Sequence, residues 1–282
     1  MNTPRTILDL YAAKQDGRKI VMVSCYDYTT ARLVSESDVD AILVGDSAAQ
    51  LILGHDSTLP ATMDFMVMLT AAVRRGAPDT CLVADMPFMS YQTGVSDALR
   101  NAGRFVTEAG AQIVKIEAID AYLDVVQAVS NAGISVMAHI GIRPQSISRS
   151  GRLKAEGTTA KLAYDLICTA QNMVKAGADS LLIEGTAHEV SDLITKRVTV
   201  PVISCGSGVS CDGQVLVAHD ILGLSMGKKA RFSRSFSNLS EQTISAMDAY
   251  STAVRNREYP NDQYCYHMKT GELEKLEERL GL

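Results

Sequence analysis

Short apolar runs recur along the chain at 20–26, 41–45, 81–86, 113–116, 135–140, 180–183 and 200–204, with an eighth at 215–224. They are rich in β-branched residues and do not alternate with polar ones. That is the pattern of parallel strands buried on both faces. Between them lie amphipathic stretches such as 96–109, 121–131, 160–176 and 188–196. A strand followed by a helix, repeated along the whole chain, predicts a parallel α/β fold. The even spacing favours a closed (β/α)8 TIM barrel. An open doubly wound sheet is the alternative. The length of 282 residues suits one barrel, a fold that typically takes about 250. No proline- or serine-rich linker divides the chain, so one barrel domain is expected over 1–282.

Both ends carry additions. Thr3 is an N-cap candidate and Pro4 suits a first helical position, with Ile7, Leu8, Leu10 and Tyr11 forming an apolar face. This predicts an N-terminal helix within 1–17, ended by Gly17, that closes the bottom of the barrel. A C-terminal extension is expected at 262–282, its last part, 270–282, a charged helix. The stretch 151–159, rich in glycine and polar residues, reads as a mobile loop after the fifth strand.

The candidate chemistry sits where the apolar runs end. Asp27 closes the first run, Asp46 and Ser47 the second, and Asp85 the third. Lys115 and Glu117 lie at the fourth, His139 at the fifth, Glu184 at the sixth, 204–208 at the seventh, and His219 and Asp220 on the eighth. In a barrel these ends converge on the face that carries active sites. Each residue alone has an ordinary structural reading. A strand-end aspartate often caps the next helix, and Lys115 and Glu117, on the same side of one strand, could form a buried ion pair. Taken together, converging carboxylates repel unless a cation neutralises them. Asp46, Asp85 and Glu117 form a natural oxygen set for Mg²⁺ or another hard divalent ion, with one carboxylate able to act through water. Gly206-Ser207-Gly208 reads either as a phosphate cradle or as a plain tight turn.

Composition narrows the class. The formal net charge is -5, and no basic stripe interleaved with aromatics is visible, so nothing points to nucleic acid. Arg74-Arg75 reads as a solvated helix C-terminus. Six cysteines without a CxxC spacing suggest reduced, mostly buried thiols. No basic-then-apolar leader pattern and no membrane-length apolar run occur. A cytoplasmic location is the expectation.

Several long motifs, in order, carry a family resemblance. They include YDYTTARL at 26–33, LVGDS at 43–47, GHDSTLPATMD at 54–64, ADMPFMSY at 84–91, VKIE at 114–117, AHIGIRPQS at 138–146, LLIEG at 181–185 and DGQVLVAHDILGL at 212–224. From about residue 5 to about 260 the chain resembles the ketopantoate hydroxymethyltransferase family. The resemblance implies a (β/α)8 barrel and commonly a homo-oligomer, a decamer. It implies Mg²⁺ held directly by Asp46 and Asp85, with Glu117 part of the metal site. Asp46, Ser47, Asp85, Lys115 and His139 would contact the substrate, and Glu184 would be the catalytic proton acceptor. The reaction implied is hydroxymethyl transfer from 5,10-methylenetetrahydrofolate to 3-methyl-2-oxobutanoate, giving 2-dehydropantoate.

The chain also departs from the family. Gly45-Asp46-Ser47-Ala48-Ala49-Gln50 stands where GDSLGM is usual, Ala118-Ile119 replaces two glycines, and Arg143 replaces a threonine. A paralogue acting on a different 2-oxo acid, or with a different one-carbon donor, is therefore the second reading. A barrel without catalysis is a third, and a broader relative of the isocitrate lyase and phosphonopyruvate mutase superfamily is conceivable by fold alone.

Overall fold

The computed structural model describes residues 4–282 except Arg152, Leu153, Met226, Lys228, Lys229 and the side chain of Ser150. Eight parallel strands close into a barrel in chain order, with β8 paired to β1. They are β1 (Ile20–Ser24), β2 (Ala41–Val44), β3 (Cys81–Asp85), β4 (Ile113–Glu117), β5 (Ser135–Gly141), β6 (Ser180–Glu184), β7 (Val202–Cys205) and β8 (Gly213–Val217). The helices are α1 (Ile7–Gln15), α2 (Tyr28–Ser35), α3 (Ala48–Leu51), α4 (Met63–Gly76), α5 (Val95–Thr107) and α6 (Leu123–Asn131). They continue with α7 (Ile147–Ser150), α8 (Ala160–Lys175), α9 (His188–Arg197), α10 (Ala218–Leu222), α11 (Leu239–Arg255) and α12 (Glu272–Leu280). The fold is the expected (β/α)8 TIM barrel.

Strand side chains alternate between the two faces, and both faces here are apolar. Outward residues such as Val23, Ile42, Leu82, Val114, Val136 and Ile183 pack with the helices in one core cluster. Inward residues such as Met22, Leu43, Val83, Ile113, Met137 and Ile203 form a second cluster inside the barrel. Leu10 and Ala13 of α1 join that inner cluster, so α1 does plug the barrel as expected. The helix starts later than predicted. Thr6, not Thr3, is its cap: the Thr6 hydroxyl accepts from Leu8 N–H at 3.2 Å, and the Asp9 carboxylate accepts from Thr6 N–H. This capping box holds two otherwise orphan donors. Thr3 lies outside the described residues.

Two other expectations are corrected. The run 215–224 is not one strand. β8 ends at Val217 and α10 begins at Ala218, which puts His219 and Asp220 on a helix. A continuous apolar run cannot by itself distinguish a buried strand from the helix that follows it. Arg74 is not a solvated end either. Its guanidinium donates to the carbonyls of Gly110, Ala77, Pro78 and Thr80 at 2.9–3.0 Å and to the Gln112 side chain. Arg74 thereby ties the end of α4 to the chain entering β3 and β4, while Arg75 is exposed. Of the 151–159 loop, Arg152 and Leu153 lie outside the described residues. Glu156 bridges in parallel to Thr186, and Glu156 N–H donates to Gly185 O at 3.0 Å. All six cysteines are free; Cys25, Cys81 and Cys211 are buried.

The chain divides into two compact units, 1–221 with 228–234, and 222–227 with 235–282. The first is the barrel. The second contains α11 and α12 and takes in the 262–282 extension, but begins at Leu222. Within it the rings of Tyr250, Tyr259 and Tyr264 pack in series at 5.7 and 5.4 Å. The expected charged terminal helix is α12, flanked by Gly271 and Gly281 in left-handed conformation.

Candidate active site

The inward side chains at the C-terminal ends of β3 to β6 are polar where those below them are apolar. Strand register sets Asp85 beside Lys115, Glu117 beside His139, and Gly141 beside Glu184. Gly141 is required there. Its φ is +90°, and a Cβ would stand 2.3 Å from the Glu184 carbonyl oxygen. Asp46 and Ser47 enter from the turn after β2. Neither side chain caps a helix: Asp46 Oδ2 accepts from Gln145 Nε2 at 2.9 Å, and Ser47 makes no cap bond. Asp27, in contrast, does cap α2, accepting from Thr30 N–H at 2.9 Å.

Asp46, Ser47, Asp85, Lys115, Glu117, His139 and Glu184 all line one cavity of about 470 Å³. Gln50, Asp56, Thr58, Asp220 and Phe232 line it elsewhere. Polar contacts run across neighbouring strands. Glu184 Oε2 lies 3.2 Å from His139 Nε2, and His139 Nδ1 lies 3.4 Å from Lys115 Nζ. Lys115 Nζ lies 2.7 Å from Asp85 Oδ1, and Asp85 Oδ2 accepts from Asp46 N–H at 3.0 Å. The Glu184–His139 and Lys115–Asp85 approaches are close in distance but off the hydrogen-bond axis at His139 Nε2 and Asp85 Oδ1. The Lys115–Asp85 approach acts as a charge contact, and the Glu184–His139 approach as a polar contact, rather than as aligned bonds.

Burial dominates the electrostatics. It pushes the Asp85 carboxyl up to about 7 against the pull of Lys115, and it pushes Glu117 up to about 8. Burial also opposes the charge on Lys115, but Asp85, Asp46 and Glu117 together outweigh it and hold its pKa above the ordinary lysine value. Lys115, 2.7 Å from Asp85, is therefore charged. His139 is lowered, first by burial and then by Lys115, so the ring is neutral near pH 7. An ammonium can only donate. His139 Nδ1 is therefore the acceptor facing Lys115, which leaves the proton on Nε2, facing Glu184.

The groups that brace this layer are not charged strand ends and were not among the residues expected from the sequence. Gln145 N–H donates to Glu117 Oε1 at 3.0 Å, while Tyr91 O–H donates to Gln145 Oε1 at 2.8 Å. Tyr26 O–H, pushed up to about 12 by burial, lies 2.8 Å from Ser47 Oγ. The ring of Tyr26 lies 5.8 Å from that of His219. Tyr26, Tyr91 and Gln145 all fall inside the long motifs, but none is a titratable strand end at neutral pH. At 206–208 the tight-turn reading fits. Ser207 Oγ donates to Ile183 O and accepts from Thr186 N–H, and a Cβ on Gly206 or Gly208 would strike Phe232 or His188.

The donor set suits a hard cation. The oxygens at hand are carboxylate oxygens, and Glu117 Oε2 is buried with no hydrogen-bond partner. Among the described residues, no three His, Cys, Asp or Glu side chains come together closely enough to enclose a metal by themselves. Nor is any helix among the described residues long and apolar enough to cross a membrane.

Comparison with known proteins supplies the family. The model of the ketopantoate hydroxymethyltransferase family matches residues 4–262. The 3-methyl-2-oxobutanoate hydroxymethyltransferase of Nitrosopumilus maritimus (strain SCM1) is 39% identical over 277 residues, covering 98% of this chain and 99% of its own. That of Geobacillus kaustophilus (strain HTA426) is 40% identical, covering 94% and 95%. Among solved structures, a phosphoenolpyruvate phosphomutase from Streptomyces platensis subsp. rosaceus superposes with TM-score 0.61 at 13% identity, covering 98% of this chain and 100% of the other. A phosphonopyruvate hydrolase in complex with oxalate and Mg²⁺ gives 0.60 at 12%, covering 98% and 97%. At such identities these two structures share the fold alone. The chain belongs to the ketopantoate hydroxymethyltransferase family and is, by that membership, a hydroxymethyl-transferring enzyme of pantothenate biosynthesis.

Proposed function

We propose that the enzyme converts 3-methyl-2-oxobutanoate, 5,10-methylenetetrahydrofolate and water into 2-dehydropantoate and tetrahydrofolate, with Mg²⁺ in the cavity. Asp46 and Asp85 would hold the ion, with Glu117 acting through water and the 2-oxo acid completing the shell. Two carboxylates plus substrate and water is ordinary for Mg²⁺, and it accords with the absence of a protein-only metal cage among the described residues. When bound, the ion supplies Lewis-acid stabilisation of the charge that develops on the keto oxygen.

The protein's own groups divide the remaining work. Lys115 carries a fixed positive charge at the cavity wall and is placed to balance the substrate carboxylate. The Ser47 hydroxyl, held by Tyr26, offers a hydrogen bond to the same acid. Glu184 takes the proton from C3, and His139 presents its Nε2 proton to that carboxylate. The observation that carries the assignment is accessibility. The Glu184 side chain is 20% exposed, against 1% for Asp85 and 4% for Glu117. Of these three carboxylates it alone is open enough to meet a substrate carbon and give its proton back to solvent.

The test is C3 proton exchange of 3-methyl-2-oxobutanoate in D2O, followed by NMR with Mg²⁺, with EDTA, and then with the folate added. Magnesium-dependent exchange, lost by about 100-fold or more in Glu184→Gln, is expected, with product forming on addition of the folate. Full exchange in that variant would remove Glu184 as the base. Exchange confined to a different 2-oxo acid would keep the chemistry and replace the substrate.

A further inference from the structure

We infer that Gln145 is a positioning residue that sets the metal affinity of the site by holding Asp46 and Glu117 in place together. The inference rests on the Mg²⁺ reading proposed above. It goes beyond that reading by assigning a role to a neutral side chain that stands behind the carboxylates and not on the cavity wall. Asp46 and Glu117 are not on adjacent strands: they follow β2 and end β4, with β3 between them. Gln145 reaches both from the tight turn Pro144–Ser146 after β5. Its Nε2 donates to Asp46 Oδ2 at 2.9 Å, and its backbone N–H donates to Glu117 Oε1 at 3.0 Å.

The direction of the amide follows from chemistry. The second Nε2 hydrogen goes to Met86 O at 2.9 Å. A carbonyl can only accept, so the nitrogen must face Met86 and Asp46. On the other side Oε1 accepts from Tyr91 O–H at 2.8 Å and from Gln92 Nε2 at 3.2 Å. The buried amide thus has both hydrogens and its oxygen engaged. One oxygen of each carboxylate is taken up in this frame. On Glu117 that leaves Oε2, which is buried without a partner. An amide that fixes one carboxylate oxygen and leaves the other for a cation does the work of an outer-shell metal partner, whose loss typically costs about 10- to 100-fold in affinity.

The test is direct binding of Mn²⁺, read as the loss of the free-ion EPR signal, to the full-length wild type, Gln145→Leu and Tyr91→Phe. Melting in EDTA checks that each protein is folded. Gln145→Leu is expected to raise the Mn²⁺ Kd about 10- to 100-fold. Tyr91→Phe, which removes the hydroxyl that donates to Oε1 at 2.8 Å and also lies 3.3 Å from the Glu117 carbonyl oxygen, is expected to raise it about five-fold, the worth of one neutral hydrogen bond. Wild-type affinity in a folded Gln145→Leu would overturn the inference and leave the metal reading intact. If Gln145→Leu does not fold, Tyr91→Phe decides in the same way: weaker binding supports the role and unchanged binding overturns it. A wild type that binds no Mn²⁺ would remove the metal reading, and the role of Gln145 with it.

Discussion

The Lys115 ammonium lies 2.7 Å from Asp85 on the neighbouring strand, not against Glu117 two positions along its own. Residues two apart on a strand are separated by about 6.6 Å, whereas laterally paired residues stand about 5 Å apart. Lateral pairing therefore decides which carboxylate takes the charge. Glu117 is held instead by the backbone N–H of Gln145.

Replacing Lys115 by methionine removes the counter-charge of Asp85, whose buried carboxyl must then stay charged without a partner or take up a proton. Breaking such a pair costs about 3–5 kcal/mol, so the metal-free variant should melt well below wild type at neutral pH. A double variant, Lys115→Met with Asp85→Asn, should recover part of that stability and none of the activity. Equal melting of the single and double variants would show that the pair carries no such coupling.

His139 presents a proton to Glu184 across 3.2 Å. Off the hydrogen-bond axis, that contact is worth less than an aligned charged hydrogen bond, about 0.5–1.5 kcal/mol, which is roughly 2- to 10-fold in rate. His139→Phe should lower kcat by that factor with little change in KM. A raised KM at unchanged kcat would instead make His139 a ground-state binding group.

Glu117 should make metal-free stability fall as pH rises. Its folded pKa, raised by burial to about 8, lies above the ordinary glutamate value of 4.5. The fold therefore favours the protonated form. Its contribution is complete below pH 4.5, is lost progressively between 4.5 and 8, and is constant above. Melting in EDTA across that range should slope downward more steeply in wild type than in Glu117→Gln. Parallel slopes would contradict the raised value.

Arg74 predicts a loss of stability without a loss of chemistry. None of the residues in its four carbonyl contacts and its Gln112 contact lines the cavity. Arg74→Met removes a charged donor from each of those oxygens and should cost about 3 kcal/mol or more. Denaturant titration gives the magnitude, and kcat of the folded variant should match wild type. Stability within experimental error of wild type would mean that water replaces the guanidinium.

Much of this architecture was legible before the structure. The β-branched, non-alternating runs predicted β1 to β7 to within about two residues, because a barrel strand needs apolar side chains on both faces. The polar residues that end the second to sixth runs predicted one shared cavity, because parallel strands bring their C-terminal ends to one place, whereas Asp27, which ends the first, caps α2 instead. The elements that misled were those with mixed signals. The run 215–224 is strand and then helix, the cap of α1 is Thr6, and Arg74-Arg75 looked like a solvated end.

Strand order, the converging polar layer and the family motifs are thus properties of the sequence itself, written in periodicity and in local residue type. Which partner each polar group takes was decided only in three dimensions. Lys115 chose Asp85 through strand pairing, His139 took its tautomer from the ammonium beside it, and Gln145 joined Asp46 to Glu117 from a turn 99 and 28 residues away in the chain. Those choices depend on distances of a few ångströms between segments far apart in sequence. A hydrophobic pattern sets which face a side chain points to, but not which neighbour waits there.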